Sequence, residues 1–307
     1  MIEMRAFGKT DMKVSALGLG GHELNGCTDQ QAELLIHHAL DKGLNVIDTA
    51  ECYGQSEERI GKSLGSLRQN CYLFTKCGHA SGDLKFPDWS PRLLEQSIER
   101  SLRRLRTDYL DLVLLHSCSL EHLQRGEVIT ILQRAREAGK VRFIGYSGDY
   151  EAAHFAASCG AFDALELSVN VADQEAIDLI LPLAMVHGLG VIAKRPLANL
   201  AWRTNSTSFH EAVDVYKKRL KVLEYAFLQT ENADVTDVAL RFTLSIPGIH
   251  VAVVGTTNPN HLDQNVSALA TGLLSQPMLD TIRDRWKAVT WWRTVFPNRR
   301  FGWHGWV

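Results

Sequence analysis

Short apolar runs of strand length recur along this chain, separated by longer stretches in which apolar residues return every three or four positions. The runs fall near residues 15–20, 44–48, 71–76, 110–116, 141–146, 163–168, 189–194 and 250–255. One of them, Leu189-Gly190-Val191-Ile192-Ala193, has no polar side chain, as expected of a strand covered on both faces. Between the runs, Ala32, Leu35, Ile36, Ala39 and Leu40 make one helical stripe, and Leu94, Ile98, Leu102 and Leu105 another. Strand alternating with helix predicts βα units around a parallel sheet. Eight such strands, with no Pro/Gly/Ser-rich linker, predict one (β/α)8 TIM barrel over residues 1–307 rather than two doubly wound halves. Ahead of the first barrel strand, the turn residues Gly8-Lys9-Thr10-Asp11 predict an N-terminal β-hairpin that closes the barrel bottom. The segment from Ala198 to about Asp234 is long for a βα connection. Its polar stretch Arg203-Thr204-Asn205-Ser206-Thr207 predicts a loop that orders on binding, ahead of a helix at about 211–230.

A barrel of this kind carries its chemistry at the carboxyl ends of its strands. Three of the runs end in residues suited to that place. Leu44-Asn45-Val46-Ile47 runs into Asp48, with Tyr53 beside Gly54 five residues on; Cys71-Tyr72-Leu73-Phe74-Thr75 ends in Lys76; Leu110 to Leu115 ends in His116. A free tyrosine has a pKa near ~10, too high for efficient proton donation at neutral pH. A nearby ammonium lowers it, and a carboxylate can hold that ammonium in place. This chemistry makes Tyr53 the general acid of a carbonyl reduction and the general base of the reverse oxidation. Lys76 then tunes Tyr53, Asp48 anchors Lys76, and His116 orients the carbonyl or shares in proton transfer. Each residue alone also has a plain structural alternative: Asp48 capping a helix, Lys76 as a surface cation, His116 as a hydrogen-bonded core residue.

Asp48-Thr49-Ala50 with Tyr53-Gly54, Ser56-Glu57 and Gly61 resembles the pattern of the aldo-keto reductases. So do Asp108-Tyr109-Leu110-Asp111-Leu112 leading to His116, Gly139-Lys140-Val141-Arg142-Phe143-Ile144-Gly145 with Ser147, and Asn258-Pro259 with Leu262 and Asn265. The likeness runs from Leu17-Gly18-Leu19-Gly20 to Asn265. It implies the same four acid–base roles and a nicotinamide cofactor, since no side chain donates a hydride. By resemblance, Ser147 bonds the nicotinamide carboxamide. The neighbouring Asn of many members is Gly148 here, and their usual Gln is Glu166. An ionised glutamate can accept from the carboxamide NH₂ but cannot donate to its oxygen. Lys194 stands where many members stack an aromatic ring on the nicotinamide, and Pro196, Leu197 and Asn199 follow it in the cofactor-binding stretch. The alternative for Glu166 and Lys194 is an ion pair with each other near the barrel mouth.

The adenosine end maps by resemblance onto Gly255, Thr256, Thr257, Asn258, His261, Gln264 and Asn265. A strand, a short loop and a helix start form an anion site there. Members that prefer NADP usually place Arg or Lys around this loop, and the candidate positions hold Gly255, Thr257 and His261. NADP(H) is therefore favoured only narrowly over NAD(H). An ordinary helix start, capped by Asn258 with Pro259 in its first turn, accounts for the same residues.

Composition removes other classes. A formal net charge of −2 gives no electrostatic case for nucleic acid or an anionic membrane as a partner. No apolar run approaches the roughly 18 residues of a membrane span. The first residues lack a signal peptide's charged-then-apolar plan, so the cytoplasm is the expected location. Six cysteines without paired spacing are expected to be free thiols, and no Cys/His pair has metal-site spacing. Gly61-Lys62-Ser63 imitates the end of a P-loop, but its partner glycine is misplaced by two residues. His22 is expected at the substrate pocket or on a loop surface, and Trp202 near the same mouth. The tail from about 290 to 307, with Trp291, Trp292, Phe296, Trp303, His304 and Trp306, is expected to fold over the barrel, whether lining the pocket, anchoring the tail or meeting another subunit. The expected function is an oxidoreductase interconverting a small-molecule aldehyde or ketone with its alcohol. The alternative is a cofactor-binding regulatory subunit with little turnover, like the potassium-channel β-subunits that resemble this family.

Overall fold

A computed structural model describes residues 2–203, 211–229 and 234–289. The chain opens with an antiparallel hairpin, β1 (Met4–Ala6) and β2 (Lys13–Ser15). Eight parallel strands follow: β3 (Leu17–Gly20), β4 (Val46–Asp48), β5 (Tyr72–Cys77), β6 (Leu110–His116), β7 (Val141–Ser147), β8 (Ala164–Ser168), β9 (Gly190–Lys194) and β10 (Val251–Gly255). They pair in chain order, and β10 returns to β3 with Val253 opposite Gly18, so the sheet is a closed barrel. Helices lie between the strands, as the alternating pattern predicts.

Local chemistry sets the helix ends. The helix Asp29–Asp41 starts at a capping box between Thr28 and Gln31 and buries Ala32, Leu35, Ile36 and Ala39 against the sheet. The helix Pro91–Leu105 starts at Ser90, whose hydroxyl accepts the Leu93 N–H, and stops where Arg106 turns left-handed. The helix expected at about 211–230 is shorter, Glu211–Leu223. Glu224 takes a positive φ of 46°, and Arg285 Nε donates to the Leu223 carbonyl at 2.6 Å, capping the end from another helix. The loop residues 204–207 and the tail 290–307 lie outside the described residues.

The barrel interior is one apolar cluster: Val46, Phe74, Leu112, Leu114, Ala164, Ile192, Val251 and Val253, joined from below by Phe7, Met12 and Val14 of the hairpin. Phe7 meets Phe74 with ring centroids 5.5 Å apart. Side chains alternate faces along a strand. Counting two residues up from these inward positions reaches Asp48 on β4, Lys76 on β5, His116 on β6, Glu166 on β8 and Lys194 on β9. The apolar interior therefore ends in a polar layer at the barrel's carboxyl end. No helix among the described residues is long and apolar enough to cross a membrane.

Candidate active site

The loop after β4 carries Tyr53 and is fixed by its own backbone. Thr49 N–H donates to the Phe74 carbonyl at 2.9 Å, Glu51 N–H to the Lys76 carbonyl at 3.1 Å, and Tyr53 N–H to the Ala50 carbonyl at 3.0 Å. Ser56 hydroxyl donates to the Gly21 carbonyl at 2.7 Å, and Thr75 hydroxyl to Glu57 Oε1 at 2.7 Å. Ser56 and Glu57 thus tie the following helix to the strands that hold the site. Gly54 turns with φ 54°, and Asn25 occupies the space its side chain would need.

Lys76 is buried to 1% exposure, which rules out the surface-cation alternative. Its Nζ donates to Asp48 Oδ2 at 2.5 Å and to the Thr49 carbonyl at 3.0 Å. Glu166 Oε2 lies 3.1 Å from the same Nζ, an ion contact outside hydrogen-bond alignment. The Tyr53 ring centroid is 5.6 Å from Lys76 Nζ and 5.7 Å from the His116 ring, which meets it edge-on. All four predicted acid–base residues therefore converge. The ring of His22 stands 5.0 Å from that of Tyr53, and the ring of His79 5.3 Å from that of His116.

The electrostatics depart from the expectation at one point. Burial pushes the Tyr53 phenol above its usual pKa; Lys76 pulls it down, but Glu166 and Asp48 push the same way as burial, and the net shift is upward. The expected lowering is thus only one contribution, outweighed by desolvation. Burial also raises Asp48, to about 7, with Glu166 adding and Lys76 opposing. Burial alone would depress Lys76, but Asp48, Glu166 and Tyr53 overcome it and hold the ammonium charged. His116 is held well below the usual imidazole range, first by burial and then by Lys76. Cys52 Sγ is 3.5 Å from His116 Nδ1, and burial raises this thiol too.

The residues assigned to the cofactor line the same rim. Ser147 at the end of β7 is buried and stands opposite His116 on one side and Glu166 on the other. Lys194 does not pair with Glu166, contrary to the alternative drawn from the sequence. Its Nζ is 3.4 Å from Asp149 Oδ2, and Asp149 also accepts the Ser168 N–H at 2.7 Å. Glu166 points instead at Lys76; on the β8–β9 ladder Lys194 stands opposite Ser168, two residues above Glu166. Gly148 has no room for the family's Asn, because a Cβ there would stand 2.2 Å from the Tyr146 hydroxyl oxygen. Pro196 offers its carbonyl to the Thr243 hydroxyl at 3.3 Å; Asn199 sits left-handed at φ 51° in the turn Ala198–Leu200; Leu197 and Trp202 pack half-buried on the core.

At the other end of the rim, Asn258 caps the helix Pro259–Ala270 by accepting the Asn260 N–H at 3.0 Å. Thr256 Oγ1 accepts the Asn258 N–H at 3.1 Å and lies 3.3 Å from His261 Nδ1. Gly255, Thr257 and Gln264 are exposed, whereas Asn265 is buried. The Glu23 carboxylate fills the space where a Gly255 side chain would stand. The sequence pattern did not assign Glu23, His79 or Asp149 to the site. All three follow barrel strands within three residues, which was the available signal. Among the described residues no group of three His, Cys, Asp or Glu could hold a metal, and all six cysteines are free.

Fold and site together define a parallel barrel with a buried acid–base cluster at its carboxyl end. The chain belongs to the aldo/keto reductase family, whose pattern matches residues 16–287. It is 30% identical over 286 residues to L-galactose dehydrogenase of Arabidopsis thaliana, covering 87% of this chain and 88% of that one. It is 26% identical over 304 residues to the NADH-specific methylglyoxal reductase of Escherichia coli K12, covering 87% and 93%. A solved putative aldo-keto reductase from Pseudomonas aeruginosa superposes with a TM-score of 0.71 at 29% identity, covering 87% and 94%. The holo form of an aldo-keto reductase from Bacillus halodurans reaches 0.76 at 23% identity, covering 93% and 96%, and supports the fold.

Proposed function

We propose that this protein is a nicotinamide-dependent oxidoreductase that interconverts an aldehyde or ketone with its alcohol, using Tyr53 as proton donor. The observation that carries this reading is the buried Lys76–Asp48 ion pair beside the Tyr53 ring, at 2.5 Å, with His116 facing the same ring. The rim residues fit the cofactor: Ser147 and Glu166 stand side by side at the ring end, and the helix start at Asn258 puts its positive dipole end at the adenosine end of the rim. When bound, the nicotinamide supplies or accepts the hydride.

The phenol's raised pKa keeps Tyr53 protonated, the form required of a donor in reduction. His116 is kept neutral. If the Cys52 thiol donates to Nδ1, the ring proton sits on Nε2, where a neutral imidazole can donate to a carbonyl oxygen. Asp48 and the Thr49 carbonyl fix the direction of the Lys76 ammonium, so the cation stays beside the phenolate that proton donation leaves. For the cofactor, NAD(H) binds at least comparably to NADP(H), because Gly255 and Thr257 bring no cation and Glu23 brings a carboxylate.

Tyr53→Phe is the test. It removes the donor and keeps the ring, so cofactor affinity stays near wild type while single-turnover reduction of a reactive aldehyde falls by about 10²–10⁴-fold. Near-wild-type reduction overturns the mechanism. Negligible turnover by the wild type on a broad panel of carbonyls, with tight cofactor binding, favours a regulatory subunit instead.

A further inference from the structure

Glu166 puts a second carboxylate on the one ammonium of the site. Lys76 Nζ lies 2.5 Å from Asp48 Oδ2 and 3.1 Å from Glu166 Oε2, and all three side chains are buried. Asp48 Oδ1 and Glu166 Oε2 have no hydrogen-bond donor, although both are shielded from water. Other charges near this triad offset its balance only in part. Lys194 on β9 acts on Asp48 from a distance, but it and Arg195 both pair with Asp149; His116 on β6 is neutral, and Tyr53 is a neutral phenol. Two ionised carboxylates and one ammonium would leave a net negative charge among buried side chains, which is costly. A single added proton removes the excess charge and turns the oxygen that takes it from an unmet acceptor into a hydroxyl.

We propose that Glu166 is a positioning residue of the acid–base site, which clamps Lys76 opposite Asp48 and shares one proton with Asp48. The charge that Lys76 presents to Tyr53 is then adjusted by that proton. With the proton in place, the ammonium faces one carboxylate and its field reaches the phenol. With the proton lost, two carboxylates offset the ammonium and phenolate becomes harder to form. Carbonyl reduction leaves a phenolate on Tyr53, so it should weaken as the shared proton is lost. The kinetic part rests on the acid–base role proposed for Tyr53; the shared proton does not.

Infrared difference spectroscopy on the protein without cofactor separates the two. The carboxylic-acid C=O band is recorded against pH for the wild type, Glu166→Gln and Asp48→Asn. Glu57 and Asp173, buried carboxyls also pushed upward, remain in all three proteins and cancel between them. The wild type should show a band that disappears as pH rises through about 7. Both variants should lack it there, because a lone carboxylate beside the Lys76 ammonium keeps its charge. A wild type without the band, or either variant retaining it at the wild-type midpoint, overturns the proposal. In kinetics, the pH profile of reduction should inflect with the wild-type band, and the inflection should move to lower pH in Glu166→Gln. An unmoved inflection overturns the link to Tyr53. Full activity in Tyr53→Phe would sink the mechanism and leave the infrared result standing. Should Glu166→Gln fail to fold, Glu166→Asp keeps the carboxyl but withdraws it by one methylene, and the midpoint should still shift.

Discussion

Glu23 is where a single side chain alters the expected chemistry most directly. Its half-exposed carboxylate stands over Gly255, at the start of the loop where the family pattern would put a base, and it holds the His22 ring nitrogen at 3.6 Å. A carboxylate in that place repels a 2′-phosphate, so NADH and NADPH should bind within about tenfold, a gap of ~1.4 kcal/mol or less. Glu23→Gln should tighten NADPH by about two- to fivefold and leave NADH nearly unchanged, since half-exposed charges are worth ~0.5–1 kcal/mol. Tryptophan-quenching titrations with both cofactors measure it. A wild-type preference for NADPH of about a thousandfold would show another cation gripping the phosphate. At this scale the sequence was legible wherever a polar residue ended an apolar run: Asp48, Lys76 and His116 are conspicuous for that reason. It was not legible where the environment decides. The direction of the Tyr53 shift depends on how much burial offsets Lys76, and the partner of Glu166 depends on which layer of the barrel it shares.

The hairpin shows how an element outside the chemistry positions it. Phe7 is fully buried and stacks near Phe74, two residues below Lys76 on β5. It also contacts the backbone at Gly190, where a Cβ would stand 2.4 Å from the ring. Gly8, with φ 56°, brings the hairpin turn against Gly188 through the Lys9 N–H bond of 2.7 Å. Phe7→Ala should therefore cost about 3–5 kcal/mol, the range for large-to-small changes of a buried aromatic, because a closed barrel cannot collapse into the void. Denaturant unfolding measures the loss. A cost under about 1 kcal/mol would mean that the hairpin is a cover and not a plug. The eight strands and the hairpin were legible because fully apolar runs and turn clusters carry strong local signals. The end of the helix Glu211–Leu223 was not, because Arg285, distant in sequence, caps it. Likewise, the pairing of Lys194 with Asp149 joins the end of β9 to the loop after β7, across β8, and leaves no trace in linear spacing.

For the whole molecule, the buried triad ties stability to pH through Lys76. With the ammonium present, Asp48 is already raised to about 7, so the folded state holds a proton that the unfolded chain releases above ~4. That contribution is fully present at low pH and declines as pH rises towards 7. His116 works the other way: its folded pKa lies below that of a free imidazole, so its contribution is present above ~6.5 and is lost on acidification. Lys76→Met removes the cation that both carboxylates share and leaves two buried acids facing each other. Breaking a buried ion pair by losing one partner costs roughly 3–5 kcal/mol. The two acids can escape that cost only by binding protons that the unfolded chain releases. The deficit of Lys76→Met relative to wild type should consequently be small near pH 5 and grow steadily towards pH 9, across the range where free carboxyls are ionised. Thermal melts of the cofactor-free proteins over that range measure it directly. A deficit independent of pH would show that Asp48 and Glu166 stay ionised without Lys76, and water would then have to reach them. Turnover should be crippled at every pH. Raising the pH cannot substitute for the missing cation, because the phenolate that proton donation leaves would still have no ammonium beside it.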